Sequence, residues 1–230
     1  MFKLHIANKN YSSWSLRPWV LMKTLGIEFE EIKHYFKQDN YSQFKVFSPS
    51  ARVPVLIDGT ITVWDSLAIT EYLYESYHNV WPTNRVARAW ARSAAAEMHS
   101  SFQALRAQCP MSVGVIAKLK KLTPELENDI RRVDELFVSA QEKFNGPFLA
   151  GDRFTAVDAF FCPVAFRIKN YNLKLSRKSM GDIEQFNALS SMQEWLQLAL
   201  KEQEMDPMEE QQLDRYAIRI KDLREIRNGV

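Results

Sequence analysis

Ser12 and Ser13 are the side chains in this sequence best placed to act on an anion. They sit in Asn10-Tyr-Ser-Ser-Trp-Ser-Leu-Arg-Pro-Trp19, a polar turn that runs into an apolar stretch. Pro18 has no amide hydrogen and clashes with the carbonyl four residues back, so it fits only the first turn of a helix. That helix therefore begins near Ser15. The two hydroxyls lie just ahead of its N-terminus, where unpaired amide donors and the macrodipole favour negative charge. A hydroxyl there either caps the helix or stabilises an anionic ligand atom. No histidine or acid lies close to Ser12 in sequence to activate it as a nucleophile, so its chemistry is the donation of a hydrogen bond.

A second helix start follows Asp65-Ser66, which reads as an N-cap pair. His5, His34, His78 and His99 show no metal-ligand spacing, and no metal is expected. Cys109 and Cys162 are far apart, outside any Cys-x-x-Cys turn and away from the Ser12 helix start, which marks them as inert thiols.

The elements that must position these groups are readable from periodicity. Phe2, Leu4 and Ile6 alternate with Lys3 and His5 as in a strand with one buried face. The helix after the serine turn stops at Gly26, and Glu28 to Tyr35 reads as a second strand, giving a right-handed β-α-β unit with a parallel pair. Asn40 to Arg52 is loop-like, with a packed turn around Phe44 and Phe47. Asp58-Gly59 between Val53-Pro-Val-Leu-Ile57 and Thr60-Ile-Thr-Val-Trp64 predicts a tight hairpin, and Pro54 belongs at its first residues or on an edge. A helix with Leu67, Ile69, Tyr72 and Leu73 closes a first domain over 1–78.

Residues 79–85 read as a linker and 86–230 as all-helical. One long Ala-rich helix is expected over Val86 to Ala107, another from Pro124 through Phe144, and a buried one after a Thr155/Asp158 capping box. The last helices run from Ala188 to Gln203 and from Glu209 to Arg227, the latter with Arg215, Arg219, Arg224 and Arg227 on a solvated face.

The whole chain sets bounds on function. With 30 basic and 28 acidic residues among 230, there is no general electrostatic case for nucleic acid or an acidic membrane surface. No apolar run reaches the roughly 18 residues of a membrane span. The cysteine usage and the absence of a signal-peptide pattern at the start suit a reducing cytoplasm.

Taken in order, the serine turn, Val53-Pro54, Asp65-Ser66, the helical second half and the Thr155/Asp158 box resemble the cytosolic glutathione transferase family over roughly residues 1–200. The resemblance implies a thioredoxin-like N-terminal domain that binds glutathione, followed by an all-α domain that builds the pocket for a small hydrophobic electrophile. It implies a cis Pro54, Val53 backbone pairing with the cysteinyl part of glutathione, and Asp65 and Ser66 holding the γ-glutamyl end. Arg52 is then a candidate for a glutathione carboxylate, although a surface arginine fits equally. Ser12-Ser-Trp-Ser-Leu-Arg17 is similar to the Ser-Ser-Cys-Ser-x-Arg signature of the zeta and related serine classes, which makes Ser12 the thiolate-stabilising hydroxyl and Ser13 the alternative. Trp14 replaces the signature Cys, and Arg17-Pro-Trp replaces Arg-Val-Arg, which weighs against the maleylacetoacetate isomerase activity of zeta enzymes. A homodimer is implied. The competing functions are a non-catalytic scaffold on the same fold and a glutathione-dependent isomerase.

Overall fold

The structure is a computed structural model that describes residues 1–36 and 39–225. β1 (Phe2–Ile6) forms as a strand and buries Leu4 and Ile6 completely, but His5 on the opposite face is buried too, under Phe47 and His34. It pairs in parallel with β2 (Phe29–Lys33) and antiparallel with β3 (Val55–Asp58), which turns through Gly59 (φ 57°) into β4 (Ile61–Val63). The sheet order is β2-β1-β3-β4. Pro54 stands immediately before β3, outside the ladder, and the Val53–Pro54 bond is cis, as is Trp64–Asp65. Helix α1 (Ser13–Leu25) starts two residues earlier than Pro18 alone suggests and ends at Gly26 in the left-handed region. A short helix α2 (Asn40–Lys45) is the packed turn around Phe44, and α3 (Ser66–Tyr74) follows the hairpin.

The second part is mostly helical. It holds α4 (Arg85–Ser100), α5 (Gln103–Gln108), α6 (Pro124–Phe144), α7 (Ala156–Asn170), α8 (Arg177–Ala188), α9 (Ser190–Leu200) and α10 (Pro207–Tyr216). Two departures from an all-helical reading stand out. The long helix expected over Val86 to Ala107 breaks at Phe102, which has φ 63°, and Arg106 turns back to donate to the carbonyls of Met98 and Ser101. Two carbonyls are thereby satisfied by a side chain at the helix end.

The helix expected from Glu209 to Arg227 ends at Tyr216. Ala217–Asp222 forms β6, antiparallel to β5 (Val115–Leu119). Tyr216, Ile220 and Leu223 fit helical spacing, but residues 217–222 find a partner strand that sequence periodicity does not see. Arg224 is not on a solvated face: its side chain is 2% exposed and pairs with Glu210 and Asp222. Arg227 lies outside the described residues.

Helix α7 is the central post, buried over nearly its whole length and packed on α1, α4 and α8. The two parts are pinned together at the loop that precedes Ser12. The Lys9 and Asn10 amides donate to the buried Glu202 carboxylate, and the Trp195 indole donates to the Lys9 carbonyl. The Lys9 ammonium pairs with Glu31 and lies 4.8 Å from the Trp195 ring centre, so a buried lysine keeps both a counter-charge and an aromatic face.

Two predictions arise here. Gly114 carries the return of the C-terminal segment: an added Cβ would meet Arg224 Cγ at 2.3 Å and Asn10 Oδ1 at 3.1 Å. Gly114→Ala should therefore cost about 1–3 kcal/mol by overpacking, read as a lower urea midpoint.

His5 stacks on Phe47 and contacts His34 at 3.0 Å. Burial, followed by the charge of His34, pulls its pKa down to about 4. The unfolded chain binds more protons than the folded one between the ordinary value of about 6.5 and about 4, so stability falls as pH drops through that window. His5→Phe should lose less melting temperature between pH 7 and pH 4.5 than the parent does.

Candidate glutathione and electrophile site

Two neighbouring cavities meet at the start of α1. One, of about 360 Å³, is lined by Tyr11, Ser12, Ser13, Phe36, Phe44 and Met111 among others, and draws Arg106, Arg167 and Glu209 from the helical part. The second, also about 360 Å³, is lined by Ser50, Pro54, Trp64 and Asp65. Trp14, Arg52 and Val53 line both.

Ser12 is the N-cap residue of α1 but makes no capping bond with its side chain. Its hydroxyl donates instead to Ser15 Oγ at 2.7 Å, and Ser15 Oγ also accepts from the Ala7 amide at 3.2 Å. The capping reading for Ser12 therefore fails, and its oxygen stands at a helix N-terminus with lone pairs and a rotatable proton. Ser13 is the first residue of the helix and lines the same cavity.

Asp65 does cap its helix, accepting from the Leu67 amide at 2.9 Å, while its other oxygen lies 3.2 Å from His99 Nε2 on α4. His99 was legible in sequence only as a histidine without ligand spacing; α4 brings it here. Ser66 is fully buried, its hydroxyl finds no partner among the described residues, and it is not in the cavity lining. Of the residues the sequence singles out, Ser12, Ser13, Arg52, Val53 and Asp65 are thus brought to the two cavities, and Ser66 stands one residue behind Asp65. Arg52 is fixed through its backbone, its amide donating to Ser48 Oγ and its carbonyl accepting from the same hydroxyl.

Sequence reasoning misses Arg106 and Arg167, which line the first cavity, with Arg17 buried behind Trp14. Arg17, Arg106 and Arg167 are held by backbone carbonyls and aromatic faces rather than by carboxylates. Arg17 lies 4.2 Å from the Trp14 ring centre and 4.8 Å from that of Phe160, Arg106 lies 4.8 Å from Trp14, and Arg167 donates to the Cys109 carbonyl. Burial lowers the pKa of all three, Arg106 to about 10; the charges of Arg106 and Arg167 lower Arg17 further, and that of Arg167 lowers Arg106. Arg106 and Arg167 are separated by 61 positions and reach one cavity because the chain just after α5 meets α7, where Arg167 donates to the Cys109 carbonyl, so no local spacing announces them. Cys109 and Cys162 are buried, and burial pushes the Cys109 thiol up to about 12, which removes them as nucleophiles.

Residues 11–76 match the family described as glutathione S-transferase, N-terminal domain. A probable maleylacetoacetate isomerase from Caenorhabditis elegans is 26% identical over 172 residues, 71% of this chain and 77% of that relative. The chain resembles the glutathione S-transferase family, most directly over its first part. The chain is also similar to a zeta-class glutathione S-transferase from Euphorbia esula, 25% identical over 181 residues that cover 76% of the chain and 80% of the relative. Its fold matches a glutathione transferase homolog from Burkholderia gl BGR1 with bound glutathione, at 23% identity and a TM-score of 0.62 over 86% of this chain and 97% of that one. It also matches a diazinon-metabolizing glutathione S-transferase from Bombyx mori, at 16% identity and 0.67 over 93% and 99%. The thioredoxin-like first part and the mostly helical second part are the arrangement the resemblance implies, and the second part also holds the β5-β6 pair. No helix among the described residues is long and apolar enough to cross a membrane.

Proposed function

We propose that the chain binds glutathione across the two cavities and stabilises its thiolate at Ser12 for attack on a small electrophile. The observation that carries this is the Ser12 hydroxyl at the N-terminus of α1, without a capping bond and in the wall of a cavity that both parts of the chain build. An ordinary thiol with a pKa of about 8.5 is only a few per cent ionised at neutral pH. A donated hydrogen bond and the helix dipole both favour the charged form. Asp65 and Ser66 take the γ-glutamyl end, Ser66 at a helix N-terminus suited to its carboxylate. Val53 pairs with the cysteinyl backbone, and Arg52 lies beside a glycyl or γ-glutamyl carboxylate.

Phe36, Trp14, Pro110 and Met111 give the electrophile an apolar wall. The setting is detoxification in the cytoplasm by a homodimer, whose mass light scattering measures. Retention on immobilised glutathione, followed by conjugation of a chloronitrobenzene reporter, tests the reading: retention without turnover supports a scaffold instead. Arg106 and Arg167 in the same cavity favour a second reading, a carboxylate-bearing acceptor of the kind the isomerase relatives are named for. Turnover of maleylacetone decides between the two.

A further inference from the structure

Making a thiolate in a cavity leaves a proton to place, and Ser12 is no base. Nothing near Ser12 in sequence accepts a proton, but the fold brings a carboxylate to the same small cavity from the far end of the chain. Glu209, in the first turn of α10, lines it together with Ser12, Ser13 and Tyr11. The salt bridges of α10 run from Glu210 and Asp214, which Arg219 and Arg224 occupy, and none among the described residues takes Glu209. Its side chain is half-buried and lines the cavity.

We infer that Glu209 is the proton acceptor for the bound glutathione thiol, a role that rests on the transferase reading. The S–H bond breaks, an O–H bond forms on the Glu209 carboxylate, and the electron pair stays on sulfur as the thiolate held by Ser12. The cavity's net charge is unchanged by the transfer, so no ion has to leave it. Glu209 later returns the proton to solvent, or to the carbanion when the reaction is an addition.

The groups facing Glu209 suit the task. Asp206, the cap of α10, and Glu210 flank it, Arg167 on α7 and Tyr171 just after that helix face it, and Tyr11 and Arg106 line the rest of the cavity. Burial, with the charge of Asp206 adding to it and that of Arg167 opposing it, pushes the Glu209 carboxyl up to about 7. A base close to neutrality is the efficient partner for a thiol brought down towards neutrality. Because the two sites interact, their ionisations belong to the pair rather than to either group alone.

The test counts protons against thiolate when glutathione binds at pH 7.5 in weak buffer. Thiolate is read by its ultraviolet absorbance and released protons by an indicator dye. The full chain should form thiolate while releasing clearly less than one proton per thiolate, because Glu209 keeps the remainder. Glu209→Gln should bring the ratio to one while holding glutathione within about threefold of the parent affinity, and Glu209→Asp should restore a ratio below one. One proton released per thiolate in the parent, or an unchanged ratio in Glu209→Gln, overturns the assignment while leaving the transferase reading standing. No thiolate signal at all overturns both.

Discussion

Ser12→Ala is expected to lower kcat/KM for a chloronitrobenzene by about 10- to 100-fold at pH 6.5, with glutathione still retained. A hydrogen bond to a charged group is worth about 1.5–3 kcal/mol, which corresponds to roughly one to two pKa units on the thiol. Losing it raises the thiol pKa, so less of the bound glutathione is ionised at low pH. The defect should shrink as pH rises towards 9, where even an unassisted thiol is largely thiolate. A constant defect at every pH would mean that Ser12 does something other than stabilise charge. Ser13→Ala is the control for the alternative hydroxyl. Ser15→Ala should act more weakly on turnover, because Ser15 only receives the Ser12 proton in the free protein, and more on stability, because the buried Ala7 amide loses its acceptor. If Ser13→Ala shows the large, pH-dependent loss and Ser12→Ala does not, the assignment moves by one residue.

The largest effect on stability belongs to a residue away from the cavities. Asp158 is fully buried and accepts from the Leu149 amide, the Thr155 amide and the Thr155 hydroxyl, which joins the turn before α7 to the first turn of that helix. Asp158→Ala leaves two backbone donors buried without partners, at about 1–3 kcal/mol each, and removes a cap worth about 1 kcal/mol. Because α7 is the post on which α1 and α4 rest, a loss of about 3–5 kcal/mol in urea unfolding is expected. Asp158→Asn keeps one acceptor oxygen and should lose less than half of that. Burial also drives the Asp158 carboxyl up to about 7, despite the three donors that favour its charged form. Through Asp158 alone, the folded state binds the extra proton between about 4 and about 7, so this contribution to stability is present below that window and is lost as pH rises through it. The parent and Asp158→Asn should therefore draw closer in stability as pH rises from 5 to 8.

Much of the fold is legible because its signals are local. The alternation in Phe2 to Ile6, Asp58-Gly59 and the Thr155-x-x-Asp158 box each depend on a few neighbouring residues, and the strand, the hairpin and the cap each form where read. The site is half legible for the same reason: Ser12 and Asp65 stand at helix starts that Pro18 and the hairpin mark. What the sequence hides depends on distant partners. Residues 217–222 take strand form because β5 lies beside them, and the break at Phe102 accompanies a side chain four residues on that fills two carbonyls. Arg106, Arg167 and Glu209 converge from three helices, and no periodicity along the chain encodes which faces will meet.

Trp14 has a consequence that outlasts any single substitution. It lines both cavities across which glutathione is proposed to lie, and its ring is clasped by two guanidinium groups and by His99 at 5.2 Å. Selectivity towards one guest is therefore coupled to grip on the other. Trimming this wall to admit bulkier acceptors would also slacken the tripeptide's berth and release Arg17 from its only aromatic neighbour besides Phe160 among the described residues. Any lineage or engineer widening the cavity beside Ser12 has to rebuild its floor at the same time.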